Sequence, residues 1–179
     1  MLEVPFLVGG LFGMRHTFEA DHVAAVAALV EDGNRPVTAG LAWGLGHCLP
    51  VLALGVELPP LATRAVEFAV AVLLVLLGVR VLFDRDHTDE ASFLVGIVHG
   101  FAGSGGVVVA LTAAAGSTLA GAGFLAGFSV ATVVGMGLAS WGVGRAVGRL
   151  RPLRLVAGLA SVAVGLLLGL ETLGLGVGL

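Results

Sequence analysis

Residues 4–30 read VPFLVGGLFGMRHTFEADHVAAVAALV, and the class of the protein follows from this stretch. Apolar residues at both ends make it long enough to cross the ~30 Å hydrocarbon core of a bilayer as a helix. Its centre, however, holds one arginine, two carboxylates and two imidazoles. Each ionisable group deep in lipid costs about 2.5–3.5 kcal/mol on insertion scales, so these groups must face a protein interior and satisfy one another. The stretch therefore predicts a functional site inside a membrane protein.

The whole chain has the composition of a membrane protein. Hydrophobic residues make up 58% of its 179 residues and charged residues 12%, whereas soluble domains carry about 25% charged residues. The alternating pattern of a membrane β-barrel strand is missing, and apolar runs of about twenty residues recur between polar breaks. We therefore predict an all-α, polytopic membrane helical bundle with six transmembrane helices. The predicted helices are 4–30, 37–56, 61–83, 93–115, 118–143 and 153–175.

The two halves of the chain resemble each other weakly. The sequence FLVG occurs at 6–9 and again at 93–96, and the glycine pair at 40 and 44 has a counterpart at 123 and 127. With three helices in each half, the second half would enter the membrane from the opposite side, which is the inverted-repeat plan of many secondary transporters. We predict a single transmembrane transporter domain over residues 1–179, a 3+3 inverted repeat with half-repeats of about 1–83 and 93–179.

The arginines predict the orientation of the chain in the inner or plasma membrane. If the helices alternate in direction, the loops on one side receive seven arginines and those on the other side receive only Arg64. Cytoplasmic loops carry such an excess of positive charge. The arginine-rich loops are therefore predicted to be cytoplasmic, and both termini are predicted to lie outside. The seven arginines are Arg35, Arg80, Arg85, Arg145, Arg149, Arg151 and Arg154.

The cluster in the first predicted helix has the ligand chemistry of borderline divalent ions. Imidazole nitrogen and carboxylate oxygen together suit Ni²⁺, Co²⁺ or Zn²⁺. In a regular helix, His16 and His22 would be roughly 120° apart and could not chelate one ion from the same face. Either the helix unwinds near Glu19 to Asp21, or only part of the cluster binds the ion and the rest orients the imidazoles. The alternative is a structural ion-pair cluster in which Arg15 bonds to Glu19.

Other polar residues lie within apolar stretches of the second and fourth predicted helices. His47 is a ligand or an interhelical hydrogen-bonding group, and Cys48 is a soft ligand or a packed thiol. His99 and Ser104 occur in a glycine-rich segment that either lines a pathway or packs tightly. A pair of Ser104 with His99 or His47 would instead indicate an intramembrane hydrolase.

Two motifs resemble those of a known transporter family. Arg15 and His16, followed by Asp21 and His22, are similar to the R-H-x₄-D-H signature of the nickel/cobalt transporter superfamily, the NiCoT and NicO-type proteins. The segment LGH that ends at His47 is similar to the signature of that family's next helix. The resemblance implies that His16, Asp21 and His22 bind the metal and that His47 contributes from a neighbouring helix. The residues assigned to the surroundings of the ligands or to the path are Arg15, Glu19, Cys48, His99 and Ser104.

The resemblance implies a secondary transporter of nickel or cobalt ions, and not an enzyme. Family members typically have more membrane helices and a later motif that is missing here, while the segment beginning at His99 is similar to the shorter, urease-accessory-like branch. The long histidine-rich loop of some efflux relatives is also missing, which favours uptake. Ni²⁺ or Co²⁺ is expected as the substrate, with no prosthetic group and no nucleic-acid partner. The open alternative is a transporter of another solute, in which the cluster is a proton relay.

Overall fold

The computed structural model describes residues 3–30, 35–54, 60–83, 89–101, 116–147 and 151–175. Within these ranges every regular element is an α-helix, as predicted. The helices are α1 Glu3–Thr17, α2 Ala20–Leu29, α3 Pro36–Leu54, α4 Pro60–Leu82, α5 Asp89–Gly100, α6 Thr118–Val147 and α7 Arg151–Thr172.

Three of the described helices are long and apolar enough to cross a membrane, namely α4, α6 and α7. The apolar part of α3 is somewhat shorter, and the predicted helix 4–30 is divided between α1 and α2. The predicted helix 93–115 begins four residues earlier, at Asp89, and its second half lies outside the described residues. The all-helical class is therefore confirmed, while the six-helix plan stays a prediction.

The predicted start of α6 is correct, and local chemistry explains it. Gly116 has a φ of 74°, a left-handed conformation that glycine adopts without steric cost. The hydroxyl of Ser117 accepts a hydrogen bond of 3.2 Å from the backbone N–H of Ala120. Ser117 therefore caps the N-terminus of α6, because one of the unpaired N–H groups of the first turn is satisfied.

The predicted end of this helix is too early, because α6 continues from residue 143 to Val147. Arg145, which we assigned to a loop, lies in the last helical turn, where a cation suits the partial negative charge of the helix terminus. Its guanidinium lies 5.2 Å from the centre of the Trp141 ring. Basic and indole side chains together are typical of the membrane–water interface.

Helix α1 packs along α6 through two glycines. A Cβ atom at Gly9 would collide with the backbone carbonyl of Phe124, and one at Gly13 would collide with that of Phe128. The absence of side chains thus lets the two backbones touch. Such close approach supplies the packing energy of membrane helices, which have no hydrophobic drive toward each other.

Helix α5 packs along α3 in the same way. A Cβ atom at Gly96 would collide with the backbone carbonyl of Trp43, and one at Gly100 would collide with that of His47. The third close pair joins α4 to α7, where the hydroxyl of Ser161 donates a hydrogen bond of 2.9 Å to the carbonyl of Leu74. These three helix pairs form the frame of the described structure.

Helix α2 lies at the centre of this frame. Its ten residues extend only about 15 Å at 1.5 Å per residue, too little to cross a bilayer. Most of them are buried, from Ala24 to Leu29, against residues of α4 and α6 such as Leu74 and Met136. A short helix surrounded by others holds the residues at its N-terminus in a fixed place.

The glycine contacts lead to a stability prediction. Replacement Gly9→Ala should destabilise the protein by about 1–3 kcal/mol, the usual cost of adding atoms to a packed interior. Gly142→Ala in α6 is the matched control, because a Cβ atom there meets nothing within 4 Å. Thermal unfolding in detergent should show a lower Tm for Gly9→Ala only. Equal Tm values for the two variants would contradict the close packing of α1 on α6.

Candidate metal site

The helical path of the first predicted membrane segment breaks at Phe18 and Glu19. Helix α1 ends with hydrogen bonds of 3.1 Å from Phe18 N–H to the carbonyl of Arg15 and from Glu19 N–H to the carbonyl of His16. Glu19 is then extended, with φ −63° and ψ 145°. Helix α2 starts with the hydrogen bond from the N–H of Val23 to the carbonyl of Glu19. The unwinding that we gave as one alternative therefore occurs, at the residues just before Ala20.

The side chain of Thr17 contributes to this break. Its hydroxyl donates a hydrogen bond of 3.0 Å to the carbonyl of Gly13, one turn earlier. Bonds of this kind weaken the helical ladder and often bend a helix. The break also suits the charges, because Arg15 lies at the negative C-terminus of α1 and Asp21 at the positive N-terminus of α2.

Three buried imidazoles converge next to the break. The Nε2 atom of His16 lies 3.0 Å from Nε2 of His22 and 2.9 Å from Nε2 of His47. Their side chains come from α1, α2 and α3, and all three residues are almost inaccessible to solvent. His16 and His22 meet because the two non-helical residues between α1 and α2 remove the angular separation of a regular helix.

Carboxylates determine which ring nitrogens point inward. Nδ1 of His16 lies 3.0 Å from Oε2 of Glu19, and Nδ1 of His22 lies 2.9 Å from Oδ1 of Asp21. An ionised carboxylate only accepts hydrogen bonds, so we infer that both Nδ1 atoms carry the proton. When both imidazoles are neutral, their Nε2 atoms then present lone pairs to each other across 3.0 Å. Two facing lone pairs repel unless a proton or a cation lies between them.

Asp21 also contacts a fourth imidazole. Its Oδ2 atom lies 3.1 Å from Nε2 of His99, which is fully buried at the end of α5. The same carboxylate thus joins His22 of α2 to His99 of α5. Among the described residues, two groups have the spacing to hold a metal ion, and they share His22. One is His16, His22 and His47, and the other is Asp21, His22 and His99.

Aromatic rings around the histidines were missed by the sequence reasoning. Trp43 is fully buried and stacks on His47 with an angle of 7° between the planes and 4.9 Å between the centres. Its ring also meets the edge of His22 at 5.0 Å. Phe128 of α6 covers His16, with 5.2 Å between the ring centres. The spacing of Trp43 and His47, one helical turn apart, was the available signal.

Accessibility differs across the site. The side chains of Asp21 and Glu19 are 30% and 42% exposed, whereas His16, His22, His47 and His99 are at most 4% exposed. The carboxylates therefore form the open side of the cluster. Among the described residues, the imidazoles form its closed interior.

The remaining assigned residues have different outcomes. Arg15 is exposed and Glu19 bonds to His16, so the described structure does not contain the Arg15–Glu19 pair of the structural alternative. Cys48 is buried with its sulfur 3.8 Å from the carbonyl of Ser129, and it belongs to neither potential metal group. Ser104 lies outside the described residues, so its pairing with a histidine stays a prediction.

Comparison with known proteins finds relatives named as a urease accessory protein and as nickel transporters. The chain is 26% identical over 162 aligned residues to the urease accessory protein UreH of Bacillus sp. (strain TB-90), which covers 72% of this chain and 71% of that protein. It is 41% identical over 71 residues to a high-affinity nickel transport protein of Cupriavidus necator and 44% identical over 50 residues to the nickel transporter NicT of Mycobacterium tuberculosis.

The matches to the two nickel transporters cover only part of each chain. They take in 37% and 26% of this chain but only 20% and 13% of the transporters. No protein-family model matches the chain, and no solved structure matches it either. The relationship is therefore carried by sequence similarity to these relatives.

The position of Cys48 leads to a labelling prediction. Because the thiol is 3% exposed and lies against α6, the native protein in detergent should take up no maleimide. The variant Ser117→Cys, whose new thiol is in an exposed position, should take up one label when folded and two when denatured. Mass spectrometry of the intact chain counts the labels. Labelling of Cys48 in the native protein would contradict its packed position.

Proposed function

The chain is related to the nickel/cobalt transporter family, and from that premise we propose that it carries Ni²⁺ or Co²⁺ across the membrane. The observation that carries this proposal is the convergence of three buried Nε2 atoms, from His16, His22 and His47. We assign these imidazoles as the direct ligands of the ion. Asp21 belongs to the same site through its contact with His22.

The spacing of the nitrogens supports a divalent metal ion. With metal–nitrogen bonds of about 2.1 Å at right angles, neighbouring ligand atoms lie about 3 Å apart. The two Nε2 separations at His16 are 2.9 and 3.0 Å. Imidazole ligands suit nickel and cobalt, while ions such as Mg²⁺ and Ca²⁺ prefer oxygen. An ion at this place would also remove the repulsion between the facing lone pairs.

The carboxylates have two functions in this proposal. Glu19 and Asp21 hold the rings of His16 and His22 in the orientation that binds metal, as carboxylates do behind many metal-bound imidazoles. Their negative charges also reduce the net charge of the loaded site. A less charged site lowers the cost of holding a divalent ion within the membrane.

The location of the site supports transport rather than permanent storage of the ion. Broken helices at the centre of the membrane form the substrate sites of many secondary transporters. Here the break between α1 and α2 lies at the ligands, and the partly exposed carboxylates form the open side of the closed imidazole group. We propose that the ion reaches the imidazoles past these carboxylates.

We further propose the 3+3 inverted repeat, which the contacts between helices support. Exchange of the halves pairs α1 with α5, α3 with α6 and α4 with α7. Gly9 and Gly13 of α1 touch residues 124 and 128 of α6, and Gly96 and Gly100 of α5 touch residues 43 and 47 of α3. When the two halves are exchanged, the contacts between α1 and α6 therefore become the contacts between α5 and α3.

The contacts also adjust the register of the repeat. Gly46 of α3 meets the carbonyl of Phe93, and Gly127 of α6 meets the carbonyl of Phe6. The register of FLVG at 6–9 and 93–96 is supported. For α3 and α6, however, the contacts pair Gly127 with Gly46. The sequence comparison had paired Gly127 with Gly44, so the register shifts by two residues.

The repeat is asymmetric in its chemistry. In this register Phe128 occupies the place that corresponds to His47, and Phe12 the place that corresponds to His99. Phe12 packs near Phe124, with 6.0 Å between the ring centres, as His99 packs near Trp43 at 5.3 Å. The contact of α3 with α5 therefore carries imidazoles where the corresponding contact of α1 with α6 carries phenyl rings. We infer a single path for the ion rather than two equivalent ones.

We propose uptake, driven by the membrane potential or an ion gradient. Inward movement of a divalent cation gains about 4.6 kcal/mol per 100 mV, twice the value for one elementary charge. In this proposal the arginine-rich loops lie in the cytoplasm and both termini lie outside, as the excess of positive charge in cytoplasmic loops predicts. Rocking of the two halves around the site would then expose the ion to one side of the membrane after the other.

Nickel uptake tests the assignment of the ligands. In cells or proteoliposomes, His47→Ala should lower the initial rate of ⁶³Ni²⁺ uptake by about tenfold or more, since even residues that only orient a ligand are worth 10–100-fold. Ser161→Ala is the control, because it removes a buried hydrogen bond between α4 and α7 without touching the imidazoles. Comparable losses in both variants, or none in His47→Ala, would argue against the site.

The same assay separates the alternatives. Unlabelled Co²⁺ and Zn²⁺ in excess rank the metals by how strongly they reduce nickel uptake. His47, His16, His22, Asp21 and His99 lie in a series with about 3 Å between successive polar atoms, which is also the form of a proton relay. If the wild-type protein moves protons but no metal ion, the relay is the function and the metal proposal is wrong.

Thiol accessibility tests the orientation. In a Cys48→Ala background, a membrane-impermeant maleimide should label Ser117→Cys in intact cells, because the connection before α6 is placed outside. Arg35→Cys, which precedes α3, should be labelled only after permeabilisation. Both positions are exposed in the structure, so accessibility depends on the side of the membrane. The reverse pattern would invert the orientation.

A further inference from the structure

We propose that Asp21, His22 and His99 form a second ion position beside the three-histidine position, and that the transported ion passes between the two around the ring of His22. This inference rests on the proposed function, because it divides the transport site into two steps. It assigns His99 and Asp21 as direct ligands.

The geometry of His22 carries the proposal. Its Nε2 atom faces His16 at 3.0 Å, and its Nδ1 atom faces Asp21 at 2.9 Å. The two ring nitrogens therefore point into two different groups of ligand atoms. When the ion binds Nδ1, exchange with water moves the proton of His22 from Nδ1 to Nε2, which then donates a hydrogen bond to Nε2 of His16. The second group is completed by Nε2 of His99, 3.1 Å from the other oxygen of Asp21, and its three ligand atoms lie within 4.8 Å of one another.

Apart from its contact with Asp21, the imidazole of His99 makes no hydrogen bond in the described structure. The residue is 1% exposed, yet its Nδ1 atom has no hydrogen-bond partner in the described structure. Its hydrogen bond to Asp21 therefore orients the ring, and that bond can be exchanged for a bond to metal. A phenylalanine, Phe12, occupies the corresponding place in the other half, so packing alone does not require an imidazole here.

The two positions differ in charge and access. The three-histidine position has only neutral nitrogen ligands and is closed, whereas the second position includes a carboxylate that is 30% exposed. A carboxylate with two imidazoles also matches the ligand set of open zinc sites that exchange their fourth ligand. The second position is therefore where the ion exchanges water for protein ligands.

Only one position can be filled at a time. Metal–nitrogen bonds of about 2 Å on opposite sides of one imidazole would place two ions roughly 6 Å apart. Two divalent cations at that distance in a buried site repel strongly. An ion that arrives at one position therefore favours departure from the other, which suits transport better than tight storage.

Cobalt binding to full-length protein in detergent tests the second position. The double variant His16→Gln/His47→Gln retains Asp21, His22 and His99, and it should bind one Co²⁺ per chain, about tenfold or more weakly than wild type. Addition of His99→Gln should abolish that binding and its visible absorption bands. Absence of cobalt binding in a folded, monodisperse double variant, or binding that His99→Gln leaves unchanged, would overturn the proposal.

The single variant His99→Gln decides the matter if the double variant does not fold. Glutamine can still donate a hydrogen bond to Asp21, so a purely positioning role would leave uptake near the wild-type rate. The two-position path predicts a drop in the ⁶³Ni²⁺ uptake rate of about tenfold, with the Co²⁺ Kd within about threefold of wild type. Wild-type uptake in His99→Gln would refute the second position, whereas wild-type protein that binds no metal would refute the proposed function itself.

Discussion

The bonds between carboxylates and imidazoles at the helix break are the constraint on which the rest of the structure depends. Ionisable groups within a membrane segment must satisfy one another, because lipid offers them no hydrogen bonds. Glu19 and Asp21 meet this need for His16 and His22 through their Nδ1 atoms. The consequence is that the Nε2 atoms turn inward, toward one another. In the proposed function, the interactions that stabilise the cluster also prepare it to bind a cation.

Close helix packing delivers the other ligands to this break. Small residues let α3 and α5 touch along their backbones, with Gly100 against His47 itself. The contact that holds α3 and α5 together therefore also places His47 of α3 next to α5 and His99 of α5 next to α3. Trp43 then stacks on the His47 ring and limits its rotation. The same glycine contacts determine the helix packing and the positions of the imidazoles. A substitution of these glycines is therefore expected to disturb both.

The difference between two corresponding helix contacts bears on the proposed function. The contacts of α1 with α6 correspond to those of α5 with α3, but the second set carries His47 and His99 where the first carries Phe128 and Phe12. In the proposed mechanism, a nearly symmetric frame rocks between two similar shapes, while the asymmetric lining gives the ion one route through it.

The sequence by itself determined the helical membrane class and the presence of a cluster of nitrogen and oxygen groups, from Arg15 to His22, inside an apolar stretch. These follow from composition, from the length of apolar runs and from the cost of charge in lipid. The tertiary structure decided the rest: which imidazoles meet, that Asp21 joins His22 to His99, and that Cys48 lies apart. The physical reason is that a two-residue break in a helix and contacts between distant helices leave no periodic signal along the chain. His16, His47 and His99 are neighbours because α1 and α3 both pack on α6 at glycines, and α5 packs on α3 in the same way.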